Sequence, residues 1–258
     1  MTRTSLKAFT LLLLLAPLAG AQARRAPYGL PAGAQVLEER SLELEDGKMR
    51  SLVLWMLRPK RYPRETPGEP YTCPEETRGS YYHGPARVSL VDTAAGRVIN
   101  TVKIIQDYAD AADEVDIPYR IHAGGYYHVG GVAEGREGRP TILHLKDFNG
   151  DGRAHEFALY DAVACMGLET ALFGYSEKSD RVIQYTVNLE TTDAAGKKAV
   201  EALKWVDYLF SKEPVGPGRW KYEIDYRGRG GSLDRYEFRY DPAAERFEGR
   251  VASTTDEQ

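Results

Sequence analysis

Soft metal ligands and thiols are scarce in these 258 residues, which hold two Cys, five His and four Met. His122 and His128 bracket AGGYY, and His144 and His155 bracket an acidic loop, but no pair stands at a recognised transition-metal spacing. His155-Glu156 starts like the zinc-protease helix motif, yet residues 157–159 are Phe-Ala-Leu and no His follows where one is needed. Long runs of one charge are missing too. Lys197, Lys198, Arg227 and Arg229 are interleaved with acids, which excludes a basic tract for nucleic acid. There is no G-x-S-x-G elbow, no P-loop and no G-x-G-x-x-G, since GGYYHVGG is too short and wrongly spaced. A nucleophilic hydrolase or a nucleotide-binding fold therefore has no visible centre.

Long apolar runs are absent apart from one at the N-terminus. There Arg3 and Lys7 precede an apolar stretch from Ala8 to about Ala19, with small residues at 19, 21 and 23. This is the pattern of a cleaved signal peptide over residues 1–23, and the run is well short of the roughly 20 residues that span a bilayer. The expectation is a secreted or periplasmic protein with no membrane span after cleavage. Without Arg3 and Lys7, 32 basic residues face 38 acidic ones, a net charge of −6. In an oxidising compartment Cys73 and Cys165 are expected to form a disulfide, which on the chain-entropy model contributes on the order of 4 kcal/mol. Two buried thiols are the alternative, because Cys165 lies in the apolar stretch AVACMGL.

What the chain has in quantity is Tyr, 17 residues, and Gly, 25 residues. Aromatic side chains suit a half-buried pleated surface and Gly supplies turns, so the composition points to many short strands. The fold expected is mainly β, an antiparallel sandwich or barrel-like single domain over residues 34–252, after a loosely held Pro/Gly/Ala-rich segment 24–33 and before a tail 253–258. Residues 35–45 and 51–58 flank Asp46-Gly47 as a hairpin. Six prolines between 59 and 85 exclude a regular element there. Further strands are expected at 118–122, 141–146, 156–160, 220–226 and 233–240. Near 197–211, Ala199, Leu203, Val206 and Phe210 have helical spacing before Pro214, although Trp205 and Tyr208 also allow a strand.

Three segments share one pattern, an apolar approach, a four-residue polar turn and an Arg: around Asp92 with Arg97, Ser176 with Arg181 and Asp241 with Arg246. The arginines are 84 and 65 residues apart, so these are similar turns and not a fixed-period repeat.

One motif carries chemistry. In LKDFNGDGRAHEF, Asp147, Asn149 and Asp151 alternate with other residues and Gly152 follows. Oxygens at every second position of a tight loop converge on a hard cation, Gly permits the bend, and Arg153 offers its backbone carbonyl. Over about a dozen residues this loop resembles the calcium loops of FG-GAP and VCBS-type exported β proteins, and more distantly those of EF-hand and dockerin modules. The resemblance implies calcium as the ligand, with Asp147, Asn149, Asp151, Arg153 and Glu156 as the ligating set. The ninth position, acidic in the β-protein loops, is His155, so Glu156 is expected to reach the ion only through a one-residue bulge. With few charged ligands the expected affinity is about 10⁻⁴ to 10⁻³ M. A metal-free Asn-Gly/Asp-Gly turn is the competing account.

Two functions are carried forward: a β-rich binding or structural protein with a calcium-stabilised loop, and an exported carboxylate-based hydrolase acting on polysaccharide. For the second, Asp161, Glu169, Glu223 and Asp225 are undifferentiated candidates. Trp55, Trp205 and Trp220 could stack on sugars, although aromatic residues in strands mostly build cores.

Overall fold

The computed structural model describes residues 27–62, 81–106, 114–118, 128–129, 140–163, 167–192 and 196–255. The signal-peptide segment 1–23, Cys73 and Cys165 lie outside these residues. No helix among the described residues is long and apolar enough to cross a membrane.

The chain is mainly β, as expected, in antiparallel sheets. The first sheet takes β1 (Ala34–Leu42), β2 (Arg50–Leu57), β3 (Lys60–Tyr62), β4 (Tyr81–Asp92), β5 (Arg97–Ile104) and β6 (Glu114–Pro118). β1 and β2 are joined through the Asp46-Gly47 turn, where Gly47 has φ 74°. Strand β4 changes partners midway. Its first residues pair with β3 and β6, and from Ala86 onward it pairs with β2 and β5. The change falls at Gly84, with φ 143°, followed by Pro85, which has no N–H to give.

A short pair, β7 (His128–Val129) and β8 (Pro140–Thr141), precedes the second sheet, which starts with β9 (Glu156–Val163), β10 (Gly167–Ser176) and β11 (Arg181–Gln184). The chain then leaves for the third sheet with β12 (Val187–Thr192) and β13 (Lys198–Leu203), and returns to β10 with β14 (Val206–Asp207). It completes the third sheet with β15 (Arg219–Asp225), β16 (Leu233–Asp241) and β17 (Arg246–Thr254). The third-sheet order is β13-β12-β17-β16-β15, and β12 pairs parallel to β17. β17 runs two residues into the segment expected to be a tail, with Thr254 opposite Leu233.

Two apolar clusters set the stacking. Leu52, Leu54 and Met56 of the first sheet pack with Phe157, Leu159 and Phe173 of the second. Ala158 and Leu172, from the opposite face of the second sheet, pack with Leu189, Phe238 and Phe247 of the third. The second sheet is therefore a middle layer covered on both faces. In β2 the run Leu52–Met56 is buried throughout because Val53 and Trp55 face the other way, under Leu30. Residues 27–33 thus lie over the outer face of the first sheet, with Leu30 buried and the Tyr28 hydroxyl donating to Glu39 at 2.7 Å.

The three hairpins with the shared turn pattern all form, β4–β5, β10–β11 and β16–β17, with Asp92, Ser176 and Asp241 facing Arg97, Arg181 and Arg246. In each, the first turn side chain accepts backbone N–H groups: Ala95 to Asp92, Ser179 to Ser176, Ala243 to Asp241. The residue before each Arg is left-handed: Gly96 (φ 64°), Asp180 (φ 49°) and Glu245 (φ 49°). The turns are neighbours in space. Arg50 bridges Asp92 and Asp180, and Lys178 donates to the Ala243 carbonyl.

Three expectations are corrected. The segment 59–85, expected to hold no regular element, forms β3 at Lys60–Tyr62 and the first residues of β4 from Tyr81, which pair with each other. The helix over 197–211 does not form: Gly196 (φ 79°) turns the chain back so that β13 pairs along β12, and Tyr208 (φ 56°) breaks any helical path before a single 3₁₀ turn at Leu209–Ser211. Pairing with an open sheet edge outweighs helical spacing, and Trp205 gains a buried site with its indole N–H on the Ile105 carbonyl. The strand over 141–146 is reduced to its first residue and one bridge at Lys146. Glu38 explains this, since its carboxylate takes the N–H groups of both Ile142 and Leu143 at 3.0 Å and stands in for a partner strand.

Candidate functional site

Lys146 and Glu156 exchange backbone hydrogen bonds and close the loop 147–155 at the entrance to β9. Inside, short polar side chains substitute for secondary structure. Asp147 accepts the N–H groups of Gly150, Asp151 and Gly152 at 2.7, 3.1 and 2.9 Å. Asn149 accepts from Asp151 N–H, and Asp151 from Arg153 N–H, both at 2.9 Å. Gly150 (φ 81°) and Gly152 (φ 90°) take the conformations that side chains resist.

Glu156 stands at the bridge that closes this loop. Pairing of β9 with β10 runs without a register shift from Glu156 to Val163, and the Lys146 bridge alone turns the Glu156 carboxyl inward. Its oxygens accept Phe148 N–H at 3.0 Å and the Asn149 side-chain N–H at 3.1 Å, and the Tyr185 hydroxyl stands at 3.4 Å. The same Asn149 amide donates to Asp151 at 3.0 Å. Glu156 has no solvent exposure. Burial pushes its carboxyl from the 4.5 of a free glutamate up to about 8, against the pull of the Phe148 N–H and with repulsion from Asp151 and Asp147 added.

The structure thus brings Asp147, Asn149, Asp151 and Glu156 together. Arg153 points its side chain outward to Glu45 and Glu177. His155, at the ninth position, turns away from the loop and is buried against Tyr175, with its ring on the Glu43 carbonyl. Among the described residues, no group of three His, Cys, Asp or Glu side chains is gathered as a metal site. A cation would therefore need a mixed set of hard oxygens. Asp151 and Glu156 converge on the Asn149 amide, whereas Asp147 is turned to the backbone N–H groups of residues 150–152. That donor chemistry suits calcium.

Sequence reasoning missed the loop's clamp. A Cβ on Gly150 would lie 2.4 Å from Gly218 N, and one on Gly218 would lie 2.4 Å from the Asn149 carbonyl. The two backbones touch, tying the loop to the turn that enters β15. The only signal was a pair of glycines, in NGDG and GPGR, 68 residues apart.

The four hydrolase candidates do not come together as one set. Asp161 and Glu169 face each other across β9 and β10, with Asp207 next in the row on β14, but Asp161 is only 5% exposed. Glu223 and Asp225 lie on the outer face of the third sheet, bound to Arg235 and Arg227 at 2.8 Å. All three Trp are core residues whose N–H groups reach Ser89, the Ile105 carbonyl and the Lys212 carbonyl.

Beside the loop, the outer face of the third sheet forms an open concavity of about 1210 Å³, lined by Asp151, Arg219, Lys221, Arg239, Glu248 and Arg250 among others. Glu237 on its floor is held below the usual carboxylate range by Lys221 and then Arg250, and Glu190 by Lys198. These acids are ionised, the opposite of what a general acid requires. Compared with protein-family models, with curated proteins and with solved structures, the chain finds no match in any of the three.

Proposed function

We propose that the chain is an exported β-rich binding or structural module whose loop 147–156 takes up calcium through Asp147, Asn149, Asp151 and Glu156. The observation that carries this reading is the charge balance of the loop. Two carboxylates, Asp151 and the fully buried Glu156, share the Asn149 amide, Asp147 caps the backbone of the same loop, and among the described residues none of the three forms an ion pair with Lys or Arg. A buried carboxylate without a counter-ion is costly, and a divalent cation is the economical remedy. The role is structural, because the loop sits where the middle sheet begins and is clamped at Gly218 to the third. Export is supported by the sequence pattern of residues 1–23.

The test is thermal unfolding in chelator, in millimolar calcium and in millimolar magnesium. Calcium alone raises the melting temperature, since a ligand that binds only the folded form stabilises it by mass action. Asp151→Ala abolishes the gain; a gain of equal size in that variant removes the loop as its cause. The polysaccharide hydrolase has less support, because the sheet registers bring together no exposed pair from Asp161, Glu169, Glu223 and Asp225.

A further inference from the structure

The outer face of the third sheet is a lattice of charges whose order can be read row by row from the registers. One row across the strands is Lys221, Glu237, Arg250, Glu190 and Val200, in which the charges alternate in sign until Val200 ends the row. Lys221 and Arg250 both bind Glu237, and Lys198 reaches Glu190 at 2.7 Å. The row beside it reads Arg219, Arg239, Glu248, Asn188 and Ala202. Here the alternation fails at one end, where two arginines are direct cross-strand neighbours. Like charges so placed repel, with Cβ atoms about 5 Å apart.

Among the described residues neither arginine is paired with an acid, although Glu248 stands opposite Arg239. Glu248, opposite Arg239, is instead bound by Arg246 at 2.7 Å, and Asp151 is engaged within its own loop. Among the described residues, neither Arg219 nor Arg239 has an ion pair or a side-chain hydrogen bond. Both line the concavity beside the clamped 149–151 and 217–218 segments. Trp220 and Phe238, 2% and 4% exposed, point inward, and of the aromatics lining the concavity only Tyr240 is half-buried, so stacking surface is scarce. Charge and hydrogen bonding are what it has to give.

We infer that Arg219 and Arg239 form a binding site for the oxyanion of a small polar ligand, a phosphate or carboxylate carried on a hydroxylated body such as a sugar phosphate or sugar acid. Two planar guanidinium forks on adjacent strands each offer paired donors to one anion. The alternating carboxylates and cations beyond them accept and donate to hydroxyl groups. The inference is independent of calcium in the loop.

The experiment is a titration of the full chain with inorganic phosphate and, separately, with D-glucuronate, in chelator and at ionic strength held constant with chloride. D-glucose is the neutral control. Binding is followed by calorimetry in every variant and, in the wild type, also through the arginine Nε–Hε resonances. Saturable shifts at Arg219 and Arg239 are expected with at least one anion and not with glucose, and the anion that binds identifies the ligand chemistry. Arg219→Ala/Arg239→Ala weakens binding at least tenfold, whereas Arg235→Ala, on the same face but paired with Glu223, does not. The double variant melts at the same or a higher temperature without anion, which separates loss of a site from loss of the fold. Shifts that never saturate, or a binding heat that persists undiminished in the double variant, overturn the site.

Discussion

Glu156 is the residue at which sequence, packing and electrostatics meet. It begins β9, so its backbone belongs to the middle sheet while its carboxyl belongs to the loop. Burial holds that carboxyl protonated up to about pH 8, whereas in the unfolded chain it ionises near 4.5. Between these values the folded form binds more protons than the unfolded form. The stability this contributes is present at low pH and is lost as pH rises from 4.5 through 8. In chelator, the urea midpoint should therefore fall between pH 5 and pH 9, by the equivalent of a few kcal/mol at most. Glu156→Gln keeps the shape without the ionisation and should flatten that fall; a slope unchanged in the variant would show that other groups produce it. Calcium should flatten it in the wild type as well, because the ion favours the ionised carboxyl. This residue was only half legible in the sequence. The D-x-N-x-D-G spacing marked the loop, but counting positions put Glu156 one place off, because the Lys146 bridge that turns it inward is a tertiary feature.

At the scale of elements, the three hairpin turns show what local chemistry specifies well. The four-residue polar turn followed by Arg was readable from sequence because the turn spans five residues or fewer, whereas its side-chain caps and left-handed residue came from the structure. The helical spacing over 197–211 misled because the decisive partner, the open edge of β12, is set by the whole sheet. Glu38 capping Ile142 and Leu143 was illegible for the same reason, the groups being more than a hundred residues apart. The turns also make a prediction with two signs. Glu245 is left-handed with no Gly to ease it, so Glu245→Gly should stabilise by about 0.5–1 kcal/mol, net of the glycine's own entropy. Asp180 has the same backbone but holds Arg50 through both oxygens and takes the Tyr175 hydroxyl at 3.0 Å. Asp180→Gly should destabilise by roughly 1–3 kcal/mol, since charge-assisted bonds are lost and Arg50 is left with fewer partners. Denaturant midpoints measure both, and equal signs would mean that the turn backbone does not control these hairpins.

For the whole molecule, the shared middle sheet governs how the layers depend on one another. Leu172 and Phe173 are adjacent, fully buried, and face opposite ways, Leu172 into the cluster with the third sheet and Phe173 into the cluster with the first. Side-chain ties cross the layers as well: the Asn100 amide on β5 exchanges two hydrogen bonds with the Val182 backbone on β11, and Lys178 reaches the Ala243 carbonyl. Neither outer sheet can bury its inner face without the middle one, so the stack should unfold as one unit. Leu172→Ala and Phe173→Ala should each cost about 2–5 kcal/mol. Each should shift a single transition, seen alike by far-ultraviolet circular dichroism and by tryptophan fluorescence. Fluorescence reports on both ends of the stack, because Trp55 lies outside the first sheet and Trp220 inside the third. Independent layers would give two transitions, with Leu172→Ala moving one and Phe173→Ala the other. Such an outcome would also confine the stabilisation proposed for calcium to the half that contains the loop and its Gly218 clamp, whereas a single transition would carry it to the entire stack.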